Sequence, residues 1–357
     1  MNLSRLWTIA RLDLTQRIRT VSWYVLLGVF ALVLVGTTAL AFLSFSGQED
    51  SGPGVYSVVV FVTLLLVVLV SPTLSGNSIN GDRDAATLAP LQVTQATTRE
   101  IVLGKFLAAW LTGLAFAVVA VPFLVIATFG GGINPLAVVV SAVVLVVEAG
   151  VVAALGTAFS GILARPLFSV ATTYLVVAAL TVGTVIAFGL LGSSVRTERV
   201  DRYQSAQYDE TGAPVCADGS SNCPNDPEQW VCGDWESTTS EVPRFDYFWW
   251  ILAANPFVIL ADATPSSFNE YGNPDDLFGW TKYSVRQSQI APEPVSSYSD
   301  CVVQDSGPTP EEIIASTVPS WFVGLGVQVI AAGLLLWWAG VRTRTPARRL
   351  PPGTRIA

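Results

Sequence analysis

Few residues of this chain have the types and spacing that chemistry requires. The sequence contains no histidine, and its four cysteines all lie within residues 216–301. One carboxylate, Glu148, stands alone in the apolar stretch VVLVVEAGVVAALG. The Gly104-Lys105 pair is followed by Phe106 and lacks the upstream glycine of a phosphate-binding loop. Because a membrane enzyme needs a nucleophile, a base or a metal set, the sequence predicts no active site and no cofactor site in this chain.

The four cysteines are the clearest chemical signal in the sequence. Cysteines on the oxidising side of a membrane form disulfides, so four of them predict two bonds. Three connectivities are possible, and the sequence does not choose among them. A metal site is the alternative, but the spacings of 7, 9 and 69 residues include no CxxC pair. The four residues are Cys216, Cys223, Cys232 and Cys301.

The elements that must position these residues are mainly apolar. Hydrophobic residues make up 51% of the 357-residue chain and charged residues 13%, whereas soluble domains carry about 25% charged residues. A membrane-spanning helix needs roughly 20 apolar residues, and six runs reach that length. We therefore expect an all-α membrane protein with six transmembrane helices. The runs are 25–45, 55–75, 101–129, 136–163, 167–191 and 321–341.

Charge divides the chain into two sides. Residues 1–22, 76–105, Arg165 and 341–357 together hold 13 Lys/Arg and four acidic residues. The other loops hold six Lys/Arg and 22 acidic residues. Because an excess of Lys/Arg marks the cytoplasmic side, we expect a multi-pass protein of the cell membrane with both termini in the cytoplasm. The acidic balance belongs to the outside loops and predicts no nucleic-acid partner.

Residues 192–320 form a large polar insertion before the sixth span, and we expect it to lie outside the cell. Within it, residues 247–261 read YFWWILAANPFVILA. This stretch is too short to span, and a seventh crossing would put the C-terminal arginines outside, against the positive-inside rule. We therefore expect a re-entrant or interfacial segment here.

Residues 1–22 form a separate N-terminal element. Apolar residues recur at spacings of three and four, which predicts an amphipathic helix with one apolar face. Arginines on the same stretch can reach lipid headgroups, so a simple surface anchor is one interpretation, and contact with a cytoplasmic partner is another. The apolar face consists of Leu3, Leu6, Trp7, Ala10, Leu14, Ile18 and Val21.

The segment between the second and third spans, GDRDAATLAPLQVTQATTREIVLGK, covers residues 81–105. Asp82 and Asp84 favour the first turn of a short helix, because acidic groups there interact with its positive N-terminal end. Ala85, Thr87, Leu88 and Leu91 give that helix a small apolar face. A plain connecting loop needs neither feature, so the segment predicts docking to a cytoplasmic protein.

This segment resembles the corresponding loop of ABC-2-type transporter permeases, and the C-terminal stretch TPARRLPPGTRIA resembles the tails of members from actinobacteria. Ala86 replaces the usual glycine of that pattern, and Gln95-Ala96 stands where a proline often occurs. The N-terminal helix, the six spans and the Asn-Pro-Phe before the last span are similar to the family as well. The residues of the loop that carry the resemblance are Asp82-Arg83-Asp84, Thr87-Leu88, Leu91, Glu100-Ile101-Val102 and Gly104-Lys105.

The resemblance implies partners and a mechanism. Two permease chains, identical or different, pair in the lipid bilayer, and two cytoplasmic ABC ATPase subunits dock beneath them. The ATPase binds ATP and magnesium, while this chain exports a lipid, peptide, drug or glycan. Residues 82–93 are the coupling helix, and residues 1–22 also touch the ATPase. The coupling residues implied are Asp82, Arg83, Asp84, Thr87, Leu88 and Leu91.

The resulting division of the chain has five parts. They are the N-terminal helix 1–22, helices one to five within 23–191 with the coupling loop 76–100, the insertion 192–320, the sixth helix 321–341 and the cytoplasmic tail 342–357.

Two alternatives stand beside these predictions. The first is an ABC-like membrane sensor, in which the outside insertion binds a ligand and the loop reports it.

The second concerns Glu148, because a charged acid at mid-membrane costs about 2.5–3.5 kcal/mol. Glu148 either lines a substrate path or gate, or makes a helix–helix hydrogen bond where Gly150 and Gly156 allow close packing.

Overall fold

A computed structural model of the chain describes residues 2–47, 50–85, 96–210, 212–217, 229–302 and 307–343. Its α-helices are α1 (Leu3–Ile18), α2 (Val21–Ser44), α3 (Gly52–Ser75), α4 (Asn80–Asp84), α5 (Thr98–Thr128), α6 (Pro135–Ile162), α7 (Pro166–Ala178), α8 (Thr184–Ser194), α9 (Pro256–Ala263), α10 (Leu277–Gln287), α11 (Pro310–Ser316) and α12 (Trp321–Arg342). Its strands are β1 (Arg196–Gln204), β2 (Glu236–Pro243) and β3 (Val295–Ser299).

Among the residues that the structure describes, six helices are long and apolar enough to cross a membrane, which confirms the predicted number. A π-helical turn, Ala179–Gly183, joins α7 to α8, and together they make the fifth of these helices. The chain is therefore a multi-pass membrane protein. The six spans are Val21–Ser44, Gly52–Asp84, Thr98–Thr128, Pro135–Ile162, Pro166–Ser194 and Trp321–Arg342.

Helices α3 and α6 form the centre of the bundle. In their most apolar windows, 67% and 56% of the residues are buried, against 17–28% in the other four spans. Small residues allow the two helices to approach, since a Cβ added to Gly156 would overlap the Ser75 hydroxyl. The hydroxyls of Tyr56 and Ser141 meet across the same interface at 2.9 Å. The other spans surround this pair and expose apolar side chains on their outer faces.

The insertion contains a three-stranded sheet, so the all-α expectation is wrong for this part of the chain. The strand order is β2-β1-β3, with β1 antiparallel to β2 and parallel to β3. The three strands are rich in Thr, Val, Tyr and Ser, and of these the β-branched and aromatic residues favour strands. The sequence analysis predicted disulfides and a re-entrant or interfacial segment in the insertion, but no strands.

A disulfide between Cys232 and Cys301 closes the insertion beside β3, with the two Cα atoms 6.2 Å apart. Cys216 is disulfide-bonded as well, while Cys223 lies outside the described residues. The prediction of a disulfide in the insertion is confirmed, and the structure selects the 232–301 pairing from the connectivities that the sequence allowed.

Candidate functional site

Three charged side chains meet at Lys105, near the point where the chain enters residues 86–95. The Lys105 ammonium lies 2.7 Å from Asp13 Oδ1 and 2.7 Å from Asp82 Oδ2. Only 6% of the lysine side chain is exposed. Because opposite charges interact strongly away from bulk water, this cluster ties α1, α4 and α5 together.

The start of α5 fixes the lysine in this position. A capping box begins the helix: the Glu100 N–H donates to the Thr97 hydroxyl at 3.3 Å, and the Thr97 N–H donates to the Glu100 carboxylate at 2.9 Å. That carboxylate also accepts the backbone N–H of Asn2 at 2.6 Å. Gly104 faces α1 so closely that an added Cβ would stand 2.9 Å from Cβ of Ile9. The N-terminal helix is therefore held along the first turns of α5.

Arg83 binds the end of α6 on the other side of the junction. Its guanidinium donates to the carbonyl oxygen of Gly161 at 3.2 Å and to that of Leu163 at 3.4 Å. The last carbonyls of a helix lack partners within the helix and carry its negative end, so they attract a cation. The Ser160 hydroxyl accepts the backbone N–H of Asn80 at 3.0 Å. Helix α4 is thus attached to α6 as well as to α5.

The residues implied by the family resemblance fall into two groups. Asp82 lies in the first turn of α4 and pairs with Lys105, and Arg83 binds the α6 terminus. Asp84 is the last residue of α4 and is exposed, so the described helix ends where a helix over 82–93 was expected to begin. Thr87, Leu88 and Leu91 lie outside the described residues.

Sequence reasoning missed the role of Asp13. It is the only acidic residue among residues 1–22, and it lies three positions after Ala10, on the same helical face. The buried residues of α1 are Leu6, Ile9, Ala10 and Asp13. An isolated acid on a helical face that also carries apolar residues was the signal that could have identified it.

The buried face of α1 only partly coincides with the predicted apolar face. Leu6 and Ala10 contact the bundle, whereas Leu3, Trp7 and Ile18 are exposed. The helix therefore has an apolar surface that packs on α5 and a second one that the described residues leave uncovered.

Glu148 lies on α6 in the middle of the bundle and is 1% exposed. Its Oε1 atom has no hydrogen-bond partner among the described residues. A cavity of about 10 Å³ lies beside it, close to the smallest volume that holds one water molecule. Gln328 of α12 lines the same cavity, and its Oε1 also has no partner within the described part of the chain. The helix–helix hydrogen bond considered for Glu148 is therefore not seen at Oε1.

Asn255 connects the π-helical turn to the segment 247–261. A π turn shifts the hydrogen-bond pattern of the helix, and the carbonyl of Thr181 in this turn accepts the Asn255 side-chain N–H at 2.7 Å. The same amide nitrogen donates to the Thr184 hydroxyl at 2.9 Å. The Asn255 oxygen accepts the N–H of Phe257 and so caps α9, which has Pro256 at its first position.

The segment 247–261 forms the 3₁₀ helix Trp249–Ala254 followed by α9. Neither is among the six helices long enough to span a membrane. The aspartate that follows, Asp262, anchors this segment to the last span. It accepts the Arg286 guanidinium at 2.8 Å and the backbone N–H groups of Ser320 and Trp321 at 2.7 and 3.0 Å.

The six spans and these polar junctions define a multi-pass membrane protein whose helix ends are tied by buried ionic contacts. No protein-family model matches the sequence, and no curated protein matches it. The likeness to ABC-2-type permeases accordingly rests on the residues quoted above.

Proposed function

We propose that this chain is the membrane-spanning permease subunit of an ABC-2-type exporter. It lies in the cell membrane with both termini in the cytoplasm, pairs with a second permease chain, and is driven by a separate cytoplasmic ATPase that binds ATP and magnesium. Its cargo belongs to the lipid, peptide, drug or glycan classes that such exporters carry.

The observation that supports this proposal best is the cluster at Lys105. Asp82 lies four residues before the segment 86–95 in which the coupling helix is expected, and it is paired with a lysine that also holds α1. Breaking a buried ion pair on one side costs about 3–5 kcal/mol, so the three helices respond to displacement of the loop together. A loop with only a connecting role needs no such attachment.

Arg83 extends the same coupling to α6. Because α4 continues the same span as α3, a force on the 86–95 segment reaches α3 along the chain and α6 through Arg83. Closure of an ATPase dimer beneath the loop would then move the centre of the bundle rather than one peripheral helix.

The test is the double variant Leu88→Asp/Leu91→Asp, co-expressed with the ABC ATPase encoded nearest to the gene of this chain. A charge placed in a desolvated contact without a partner costs several kcal/mol, enough to remove most of a typical docking affinity. We expect normal membrane abundance, loss of the co-purified ATPase and loss of transport. The matched control is Tyr271→Asp, which places the same charge on an exposed residue of the insertion. Wild-type ATPase stoichiometry in the double variant contradicts the proposal.

An ABC-like sensor is the second candidate, and the folded insertion favours it. Its sheet carries the exposed residues Tyr203 and Tyr298, whose rings are stacked 5.6 Å apart, and the exposed Tyr208 follows β1. A histidine kinase encoded beside the chain favours sensing, whereas an ATPase encoded alone favours export.

A further inference from the structure

A pocket of about 460 Å³ lies between the 3₁₀ helix Trp249–Ala254, the start of α12 and Thr184 of α8. Its volume falls in the range of about 300–1,000 Å³ that small-molecule sites occupy. None of the described residues that line the pocket carries an ionisable side chain. The apolar part of the wall includes Trp249, Ile251, Val318, Phe322, Val323 and Val327.

The two hydroxyls that line the pocket are already engaged. The Thr184 hydroxyl donates to the carbonyl of Leu180 at 2.8 Å and accepts from Asn255. The Ser320 hydroxyl donates to Asp262 at 3.1 Å. A ligand therefore meets hydrocarbon and aromatic surface here, and its recognition depends on shape rather than on hydrogen bonds to these two groups.

The position of the pocket in the bundle identifies the occupant. Val327 is six residues beyond the start of α12, which places it about 9 Å along the helix axis. Phe322, Val323 and Val327 belong to a helix long and apolar enough to span a membrane and are each more than half exposed, so the pocket opens onto an apolar surface of α12 that the described residues leave uncovered. Trp250 at the outer end is exposed as well, as is typical of aromatic residues at the boundary between lipid and water.

We propose that this pocket is a lipid-binding site that takes one acyl chain of a membrane amphiphile from the side of α12. The hydrophobic effect gives no preference for the pocket over the bilayer, because both are apolar. The preference comes from packing: an empty pocket forfeits the van der Waals contacts of its walls, and a flexible chain restores them.

Gly324 gives the pocket a fixed wall. A Cβ at this position would overlap the carbonyl oxygen of Ala253, so the 3₁₀ helix and α12 touch backbone to backbone along one edge. Asn255 and Asp262 hold the other end of the same segment to α8 and α12. The cavity is therefore bounded by elements joined through three separate contacts.

The experiment uses the full chain in nanodiscs containing phosphatidylcholine with a photoactivatable diazirine in one acyl chain. After irradiation, mass spectrometry locates the labelled peptides. We expect labelling of 249–254 and 318–327 to exceed that of the other exposed part of α12 by roughly tenfold, which corresponds to about 1.4 kcal/mol. This readout needs neither the ATPase nor transport, so it is independent of the exporter assignment.

Val323→Trp fills the pocket and is expected to abolish the excess labelling, and Ala253→Leu reduces it from the opposite wall. The matched control, Ile330→Trp, changes an exposed residue of the same helix outside the pocket and should leave the labelling unchanged. Uniform labelling along α12, or wild-type labelling in a folded Val323→Trp protein, overturns the proposal. Interchain disulfide formation by Val323→Cys in the membrane also overturns it, because a second copy would then cover the pocket.

Discussion

At the scale of single residues, paired buried charges join the helices of the chain to one another. Lys105 neutralises two carboxylates from different helices, and Asp262 receives one guanidinium and the first N–H groups of the last span. Buried charges are costly unless they are paired, so each of these groups fixes the relative position of the elements that carry it.

Replacing Lys105 with methionine tests the first cluster. The change leaves Asp13 and Asp82 facing each other without a cation, and we expect a loss of about 3–5 kcal/mol of stability. Asp13→Asn keeps the pair between Lys105 and Asp82, so it should cost only about 1 kcal/mol. Thermal unfolding of the purified protein, followed by tryptophan fluorescence, measures both.

The matched control for Lys105 is Arg196→Met. Arg196 and Glu241 form an exposed pair at 3.9 Å, and exposed pairs contribute about 0–1 kcal/mol. A Lys105→Met protein that melts together with the Arg196→Met protein would show that the buried cluster does not hold the helices.

Asp276 and Lys282 on α10 predict a dependence of stability on pH. Burial raises the pKa of Asp276 to about 6, from a usual value of 3.8. The folded chain then retains a proton that the unfolded chain has released, so stability falls as pH rises from about 4 to about 6. Burial lowers the pKa of Lys282 from 10.5 to about 8, so its contribution makes stability rise above pH 8.

Melting curves at pH 4, 5 and 6 check this expectation with Asp276→Asn. Asparagine caps a helix as well as aspartate does, so the contact to the Gly279 N–H at 2.6 Å is retained. As pH rises across this range, the wild-type melting temperature should fall relative to that of the variant. Parallel curves for the two proteins would mean that Asp276 is not the group responsible.

At the scale of elements, glycines decide which helices touch. Gly324 lies against the backbone of Ala253, and Gly156 lies against Ser75 at the bundle centre. Gly326, two residues along the same helix, has open space where a side chain would be. Identical residues in one helix thus have different roles.

Gly324→Ala and Gly326→Ala form a matched pair. The first forces α12 away from a backbone carbonyl that cannot move aside, so we expect a lower melting temperature and faster proteolysis within 247–261. The second replaces glycine with a better helix former in open space, worth about 0.5–1 kcal/mol in its favour. Equal rates of proteolysis in the two proteins would show that the contact between Gly324 and the Ala253 carbonyl does not hold α12 to the segment 247–261.

The elements differ in how far the sequence predicts them. Runs of about 20 apolar residues predict spanning helices without knowledge of the rest of the fold. In lipid, the backbone N–H and C=O groups must bond to each other, and a helix satisfies them within one segment. The sheet was missed because β1 pairs with β3 across about 90 intervening residues, and local sequence does not encode such a partner. The junction at Lys105 was partly visible, since Asp82 and Gly104-Lys105 belonged to the resemblance, but the participation of Asp13 depends on how α1 packs.

At the scale of the whole molecule, the six spans require both termini on the same side of the membrane. The excess of Lys/Arg predicts that this side is the cytoplasm. Cysteine labelling with a membrane-impermeant reagent tests this expectation. The native Cys216, Cys232 and Cys301 are in disulfides and so do not react with the reagent. Thr345→Cys should react only after permeabilisation, and Ser306→Cys should react in intact cells.

Labelling of position 345 in intact cells would show that the termini lie outside the cell. The side on which an ATPase could dock would then also differ from the expectation. Labelling of position 306 only after permeabilisation would place the insertion in the cytoplasm.

The parallel pairing of β1 with β3 sets an order of events during biosynthesis. Residues 205–294 must be synthesised after β1 before β3 becomes available, which takes roughly 5–20 s at about 5–20 residues per second. β2 covers one edge of β1 early, whereas the other edge stays open during this interval, and an open strand edge is a template for mispairing. The disulfide between Cys232 and Cys301 also cannot form until the chain has been synthesised past β3. Maturation of the insertion is therefore a late step, completed only as the last span enters the bilayer.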